Sequence, residues 1–264
     1  MKGAIGLGII LVVTGVALLS FVWTPYDIGA LDIAHRLAGG SAAHPLGTDQ
    51  YGRDLVAMLM AGARPSLGVA LLAVAIGLGA GVPLGLFAAA RPGWIDEAIA
   101  RVADILFAFP ALVLALLIVA VAGPGATHAA IAIGLFNIPV FTRLTRAAAR
   151  SIWARDFILA ARLAGKGAVR ISVEHVLPNI AGPLLVQAAV QLSLGLIAEA
   201  GLSFLGLGAQ PPGASWGRML ADGQTLIGIA PRLVLLPGLA ILITVLGINL
   251  AGDALRDRLG IARP

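Results

Sequence analysis

The chain has 264 residues, 59% of them hydrophobic and 12% charged, with 34 glycines, 15 prolines and no cysteine. Soluble domains carry about 25% charged residues; this low share and a mean hydropathy of +0.97 exclude an ordinary water-soluble domain and indicate an integral membrane protein with several spans. The absence of cysteine excludes disulfides and thiolate metal sites, and the net charge of +5 reads as a bias of basic residues toward one membrane face rather than as a nucleic-acid surface.

A spanning helix needs about 20 mainly apolar residues. Six runs qualify: Gly3–Trp23, Ser66–Ala90, Ile105–Gly123, His128–Phe141 continuing beyond, Ile180–Ala198 and Leu233–Gly252. None holds Asp, Glu, Lys or Arg in its middle. The first run is longer than the apolar core of a signal peptide, about 7–15 residues, so it reads as an uncleaved anchor. Six spans put both ends on one side. With the N-terminus cytoplasmic, thirteen Lys and Arg fall inside and five outside, which predicts cytoplasmic termini in a multi-pass protein. Two longer segments, Thr24–Pro65 and Ala200–Arg232, then lie outside; their Gly and Pro content predicts irregular surfaces with short helices. This divides the chain into 1–65, the first span with its external segment, and 66–264, the core.

Within the second span, Ala73, Gly77, Gly81 and Gly85 recur every fourth position. They fall on one helical face and permit close approach of another helix. Pro83, Pro110, Pro139, Pro183 and Pro237 lie in or beside spans, where each frees a carbonyl that a neighbouring helix must satisfy. Asn137 and Gln191 are polar, and ordinary helix–helix hydrogen bonds explain them. Glu199 ends the fifth span and reads as a paired terminal charge.

The fourth and fifth spans are joined by a segment with seven Lys and Arg between Arg143 and Arg170. At about +3 kcal/mol each, burying these would cost roughly 20 kcal/mol, so the segment lies outside the bilayer on the inner side. Arg155, Arg162, Lys166 and Arg170 repeat at helical spacing on one face, and Phe157, Ala161, Ala164 and Ala168 on another. Asp156 suits a helix N-terminus, Gly165 and Gly167 allow a turn, and Pro178 suits the first turn of the next helix. A docking helix, a basic anchor on lipid headgroups and a solvated loop all fit this pattern.

Catalysis finds no support. A phosphate-binding loop needs G-x-x-x-x-G-K-[ST], and "LAGKGA" lacks both the first glycine and the final hydroxyl residue. His35, His44, His128 and His175 have no metal-ligand spacing. An ion-coupled carrier usually places ionisable groups near the midplane, where these spans have none.

The stretch "LAARLAGKGAVRISVEHVLPN", Leu159 to Asn179, resembles the cytoplasmic E-A-A-x-x-x-G…L-P motif of ABC importer permeases. Ala160, Ala161, Gly165, Leu177 and Pro178 match it; Leu159 stands where the wider pattern has Glu. "HPLGTDQYGRD", His44 to Asp54, and "GLSFLGLGAQPPGASWGRML", Gly201 to Leu220, resemble segments of the peptide/nickel importer permeases, as do "VADILFAFPALVLAL" and the ending "NLAGDALRDRLG". The likeness runs almost end to end and is nearest to the C-type permease of dipeptide importers.

The resemblance implies an all-α membrane protein with six transmembrane helices in the type I ABC importer fold, not itself an enzyme. It implies a coupling helix involving Asp156, Phe157, Ala160, Ala161, Ala164, Gly165, Leu177 and Pro178 that seats in an ATPase subunit. It further implies a second related permease, two ATPase domains holding ATP and Mg²⁺, an extracytoplasmic substrate-binding protein and a prokaryotic cytoplasmic membrane. No cofactor on this chain and no nucleic-acid partner are expected. The external motif comprises His44, Pro45, Gly47, Asp49, Gly52, Arg53, Asp54, Gln210, Pro211, Pro212 and Trp216. Gly47 and Gly52 suit turns, Asp49, Arg53 and Asp54 suit an ion-pair network, and Trp216 suits an interface anchor or a docking residue. Dipeptide is the expected cargo, ahead of oligopeptide and nickel. A passive carrier and an assembly subunit are the competing classes.

Overall fold

The computed structural model describes residues 2–211 and 213–260 and is helical, with a lone antiparallel bridge between Thr48 and Asp54. Ten α-helices follow in order: α1 Lys2–Leu19, α2 Leu55–Ala90, α3 Trp94–Ala108, α4 Ala111–Ala122, α5 Ala126–Trp153, α6 Asp156–Leu163, α7 Ala168–Ile171, α8 Leu177–Phe204, α9 Trp216–Gly223 and α10 Arg232–Arg258. Five helical stretches are long and apolar enough to cross a membrane: α1, α2, α5, α10 and the continuous run Ala168–Phe204; α3 and α4 together pass the same test as one bent span.

Three expectations need correction. The second helix begins at Leu55 rather than Ser66, because the Asp54 carboxylate caps it by accepting from Ala57 N and Pro65 is carried inside the helix. A division at residue 65 therefore falls within α2. At 36 residues and a 1.5 Å rise, α2 is about 54 Å long, well beyond the roughly 30 Å hydrocarbon core. The third run is not one straight helix: α3 and α4 meet at an 86° bend. Phe109 and Pro110 are both extended there; proline disfavours helical backbone in the residue before it and removes a helical donor. Finally, the helix ending in α8 starts upstream of Pro178, through a wide π turn at Ser172–Val176. The turn falls where the Pro178 ring would crowd the Glu174 carbonyl of a regular helix.

The small-residue ladder of α2 packs on α5. A Cβ added at Gly77 would lie 2.5 Å from Asn137 Cβ, at Gly81 2.6 Å from Ile138 O, and at Gly85 2.6 Å from Thr142 O. Asn137 Nδ2 donates to Ala73 O and Gln191 Nε2 to Asn137 Oδ1, joining α2, α5 and α8 and accounting for both polar residues. α1 packs on α10, where Gly6 faces the Ala251 and Gly247 backbone. α3 is tied to α5 by charge: Asp96, buried, takes both Arg146 and Arg150, and Asp104 takes Arg143.

Candidate functional site

At one end of the bundle, α6 forms between α5 and α7. Arg155 occupies its N-cap position in extended conformation, and Asp156 supplies the acidic first turn. The helix closes on Gly165 at φ +77°. Gly165 N donates to Arg162 O and Lys166 N to Ala161 O, the paired bonds of a glycine-terminated helix end. The chain then turns at Gly167 into α7.

The predicted basic face is not one face. Gly165 breaks the helix, leaving Arg162 on α6 and Arg170 on α7. Arg162 lies 5.0 Å over the Trp153 ring. Lys166 Nζ donates to Glu174 Oε2 at 2.7 Å and Arg170 Nε to Glu174 Oε1 at 2.6 Å. Arg170 and Glu174 lie before Ile180, in the part of the 37-residue helix that exceeds what a bilayer of about 30 Å requires, and Lys166 precedes that helix. The two cations hold the Glu174 carboxyl down at about 2, first through their hydrogen bonds.

Ala161 faces inward. With Ile158 it joins Leu86, Ala89, Ala149, Ile171, Val176 and Ile180 in the core at the ends of α2, α5 and α8. A small residue suits that contact, but it is internal to the chain. Asp156, Phe157, Ala160, Ala164 and Gly165 are exposed, as are Leu159 and Leu163. Phe157 is edge-on to His175, with ring centroids 6.4 Å apart. Leu177 is half-buried and Pro178 exposed, beside α6 in the chain's path into α8.

The opposite end carries the other motif residues. Gly47 and Gly52 have φ of +82° and +78°, and a Cβ on Gly52 would lie 1.7 Å from Asp32 O, so glycine is required. Asp49 accepts from Tyr51 N, Arg53 N and Arg53 Nε. Asp54 pairs with His44 Nδ1 at 2.9 Å instead of with Arg53, so the expected network is two separate pairs. All serve a rigid loop; Pro45 is exposed at its edge. Nearby, Asp32 is held below the usual carboxylate range by its hydrogen bond with His35. Arg232 Nη2 donates to Leu37 O and Ala38 O, binding the loop to α10.

Trp216 is neither a lipid-facing anchor nor exposed for docking. It is buried, and its Nε1 donates to Leu59 O at 3.0 Å, fixing α9 against α2. Gln210 Nε2 donates to Gly206 O and Gly208 O, bracing a turn on which Pro211 is exposed; Pro212 lies outside the described residues. Glu199 is not an ion-paired end. It is buried, accepts from Ser203 Oγ at 2.6 Å, and has the Ser66 and Ser215 hydroxyls beside it.

Sequence reading missed the Asp96 clasp, the Glu199 serine cluster and the outward leucines of α6. Arg143, Arg146 and Arg150 do share a helical spacing that called for acidic partners, but they were fully accounted for by the inner-face bias. Among the described residues no group of His, Asp and Glu is placed to hold a metal ion.

This is a helical membrane permease with the short helix α6 at one end of its bundle and a braced loop surface at the other. Residues 81–260 match the family described as "Binding-protein-dependent transport system inner membrane component", and the chain belongs to that family. It is 45% identical to a di/tripeptide transport system permease protein of Pseudomonas aeruginosa, covering 98% of this chain and 88% of the relative. It is 41% identical to a nickel transport system permease protein of Escherichia coli K12, covering 92% and 88%. A solved chain of an inward-facing methionine ABC transporter matches the fold at a TM-score of 0.63 and 20% identity, over 78% of this chain and 97% of that one, in agreement with the type I ABC importer fold.

Proposed function

We propose that this chain is one permease half of an ATP-driven importer that carries dipeptides or short peptides across a prokaryotic cytoplasmic membrane. The observation that carries the reading is α6: a short helix outside the apolar bundle, seated by Ile158 and Ala161 on the ends of α2, α5 and α8, in a chain of a binding-protein-dependent transport family. α6 and both termini then face the cytoplasm, in keeping with the basic excess on that side. A second related permease completes the path. Two ATPase domains, which hold ATP and Mg²⁺, dock on the two permeases, and a binding protein delivers cargo to the end built from His44–Asp54 and Gly201–Leu220.

Packed interiors transmit displacement rather than absorb it. Closure of the ATPases on ATP would therefore move α6 together with the helix ends it is packed on, shifting the bundle between inward- and outward-open populations. The peptide assignment follows the di/tripeptide relative; nickel, cargo of another relative, is the second reading.

Purification of the chain from its own membrane should bring down a second permease and an ATPase, and the reconstituted complex should take up labelled di- and tripeptides only with ATP. Gly165→Pro, which cannot adopt φ +77°, should abolish uptake while the chain still inserts. A chain that emerges without an ATPase, or carries solute without ATP, refutes the importer reading; uptake of Ni²⁺ but not peptide transfers the cargo to the second reading.

A further inference from the structure

The directions of the α6 side chains bear on what kind of surface receives this helix. At 3.6 residues per turn, the buried pair Ile158 and Ala161 marks one side of α6. Asp156, Leu159, Ala160 and Leu163 fall on the opposite side. Leu159 is 58% exposed and Leu163 83%, one turn apart, so they form a two-leucine ridge. Three of the basic residues around it are engaged within the chain: Arg162 over Trp153, Lys166 and Arg170 on Glu174; Arg155, at the N-cap one turn before Leu159, is exposed. The charges on the ridge side are the exposed carboxylate of Asp156 and the exposed guanidinium of Arg155 at the start of the helix.

This pattern does not suit a membrane surface. A lipid-bound helix turns its apolar face to the acyl chains and its cations to the headgroups. Here the side packed against the membrane-crossing bundle is already filled by the chain's own core. The leucines point away from it, out of reach of the acyl chains. A protein groove receives a ridge turned that way, with Arg155 and Asp156 at its edge.

The geometry points to an apolar socket on the ATPase subunit that takes Leu159 and Leu163 side by side, with a cation set to meet Asp156. The docking is then held by apolar burial at position 159, where the wider motif has Glu. This inference rests on the reading of α6 as the ATPase-docking helix.

The absence of native cysteine allows a direct test. Leu159→Cys, Leu163→Cys and, on the flank, Arg162→Cys each give a unique thiol at an exposed site. Each is labelled with an environment-sensitive fluorophore in nanodiscs holding the permease pair, and the ATPase subunit is then added. Emission from positions 159 and 163 should move to shorter wavelength, more than from position 162. The shift should persist at about 1 M salt, where charges are screened beyond ~3 Å. Leu159→Glu should weaken ATPase binding by about tenfold or more, because it removes a buried leucine contact. Binding of the ATPase with thiol protection but no blue shift, or tighter binding by Leu159→Glu, overturns the apolar socket and leaves docking intact. No protection at either leucine overturns the docking reading too. A blue shift before the ATPase is added assigns the ridge to lipid and overturns the proposal.

Discussion

Gly81→Ala isolates the helix contact on which the bundle depends. The added Cβ would sit 2.6 Å from Ile138 O, 2.8 Å from Phe141 Cβ and 3.0 Å from Thr142 N, whereas ordinary contact begins at 3.4 Å. Two of the three neighbours are backbone of α5, so no side-chain rotation relieves them; α2 and α5 must separate by roughly 0.8 Å at this crossing, the shortfall at Ile138. Overpacking of this kind costs about 1–3 kcal/mol. Alanine also favours helix over glycine by up to about 1 kcal/mol, which acts in the opposite direction. Gly79→Ala removes that ambiguity: it lies on the same helix, and its Cβ would meet nothing within 4 Å. The difference between the two variants is therefore the contact alone. Thermal unfolding of the purified complex in one detergent should place Gly79→Ala at or above the parent and Gly81→Ala below it by about 1–3 kcal/mol. Equal stability of the two would refute the close packing of α2 on α5.

Two further outcomes follow from charge. Asp96→Asn leaves Arg146 and Arg150 without their carboxylate; removing one partner of a buried pair costs about 3–5 kcal/mol, and because the Arg146 and Arg150 side chains are 27% and 47% exposed the expected loss is about 2–3 kcal/mol, read as a lowered melting point with faster proteolysis around Phe109, and an unchanged melt would contradict the clasp. The Glu174 carboxyl titrates at about 2 in the folded chain instead of its ordinary 4.5; its folded value is depressed, so the clasp of Lys166 and Arg170 contributes fully above pH 4.5 and is lost as pH falls toward 2. Reactivity of a Gly167→Cys variant should be flat from pH 7 to 4.5 once corrected for thiolate content, then rise; Glu174→Gln should react at the raised level throughout that range.

What the sequence made legible were features decided by a short stretch alone. The apolar runs need only length, and Gly77, Gly81 and Gly85 need only a four-residue step. Gly47 and Gly52 announce a turn wherever they occur. Pairings between distant segments were another matter. Asp96 and Arg146 are separated by 50 residues, and nothing local distinguishes an arginine held by a carboxylate from one facing headgroups. Trp216 showed the same limit: a tryptophan between spans is amphipathic in either case, and only the Leu59 carbonyl beside it makes it a brace.

Proline misled by position. Pro65, Pro83, Pro139, Pro183 and Pro237 all lie inside helices, yet Pro110 breaks one, and the difference lies in the packing on either side. α3 is anchored to α5 by Asp96 and Asp104, while α4 packs through Ala115 with Ala129 and Ile133 of α5. Two independent attachments of α3 and α4 to one partner fix the bend that Pro110 permits. The same logic applies at α6, where alternating charge and small residues suggested a stripe. Gly165 ends the helix before the stripe is complete, and once Ile158 and Ala161 are drawn into the core, Leu159 and Leu163 are left facing outward opposite them. A basic segment therefore leaves two leucines among its most exposed side chains, because Arg162, Lys166 and Arg170 are each held by this chain.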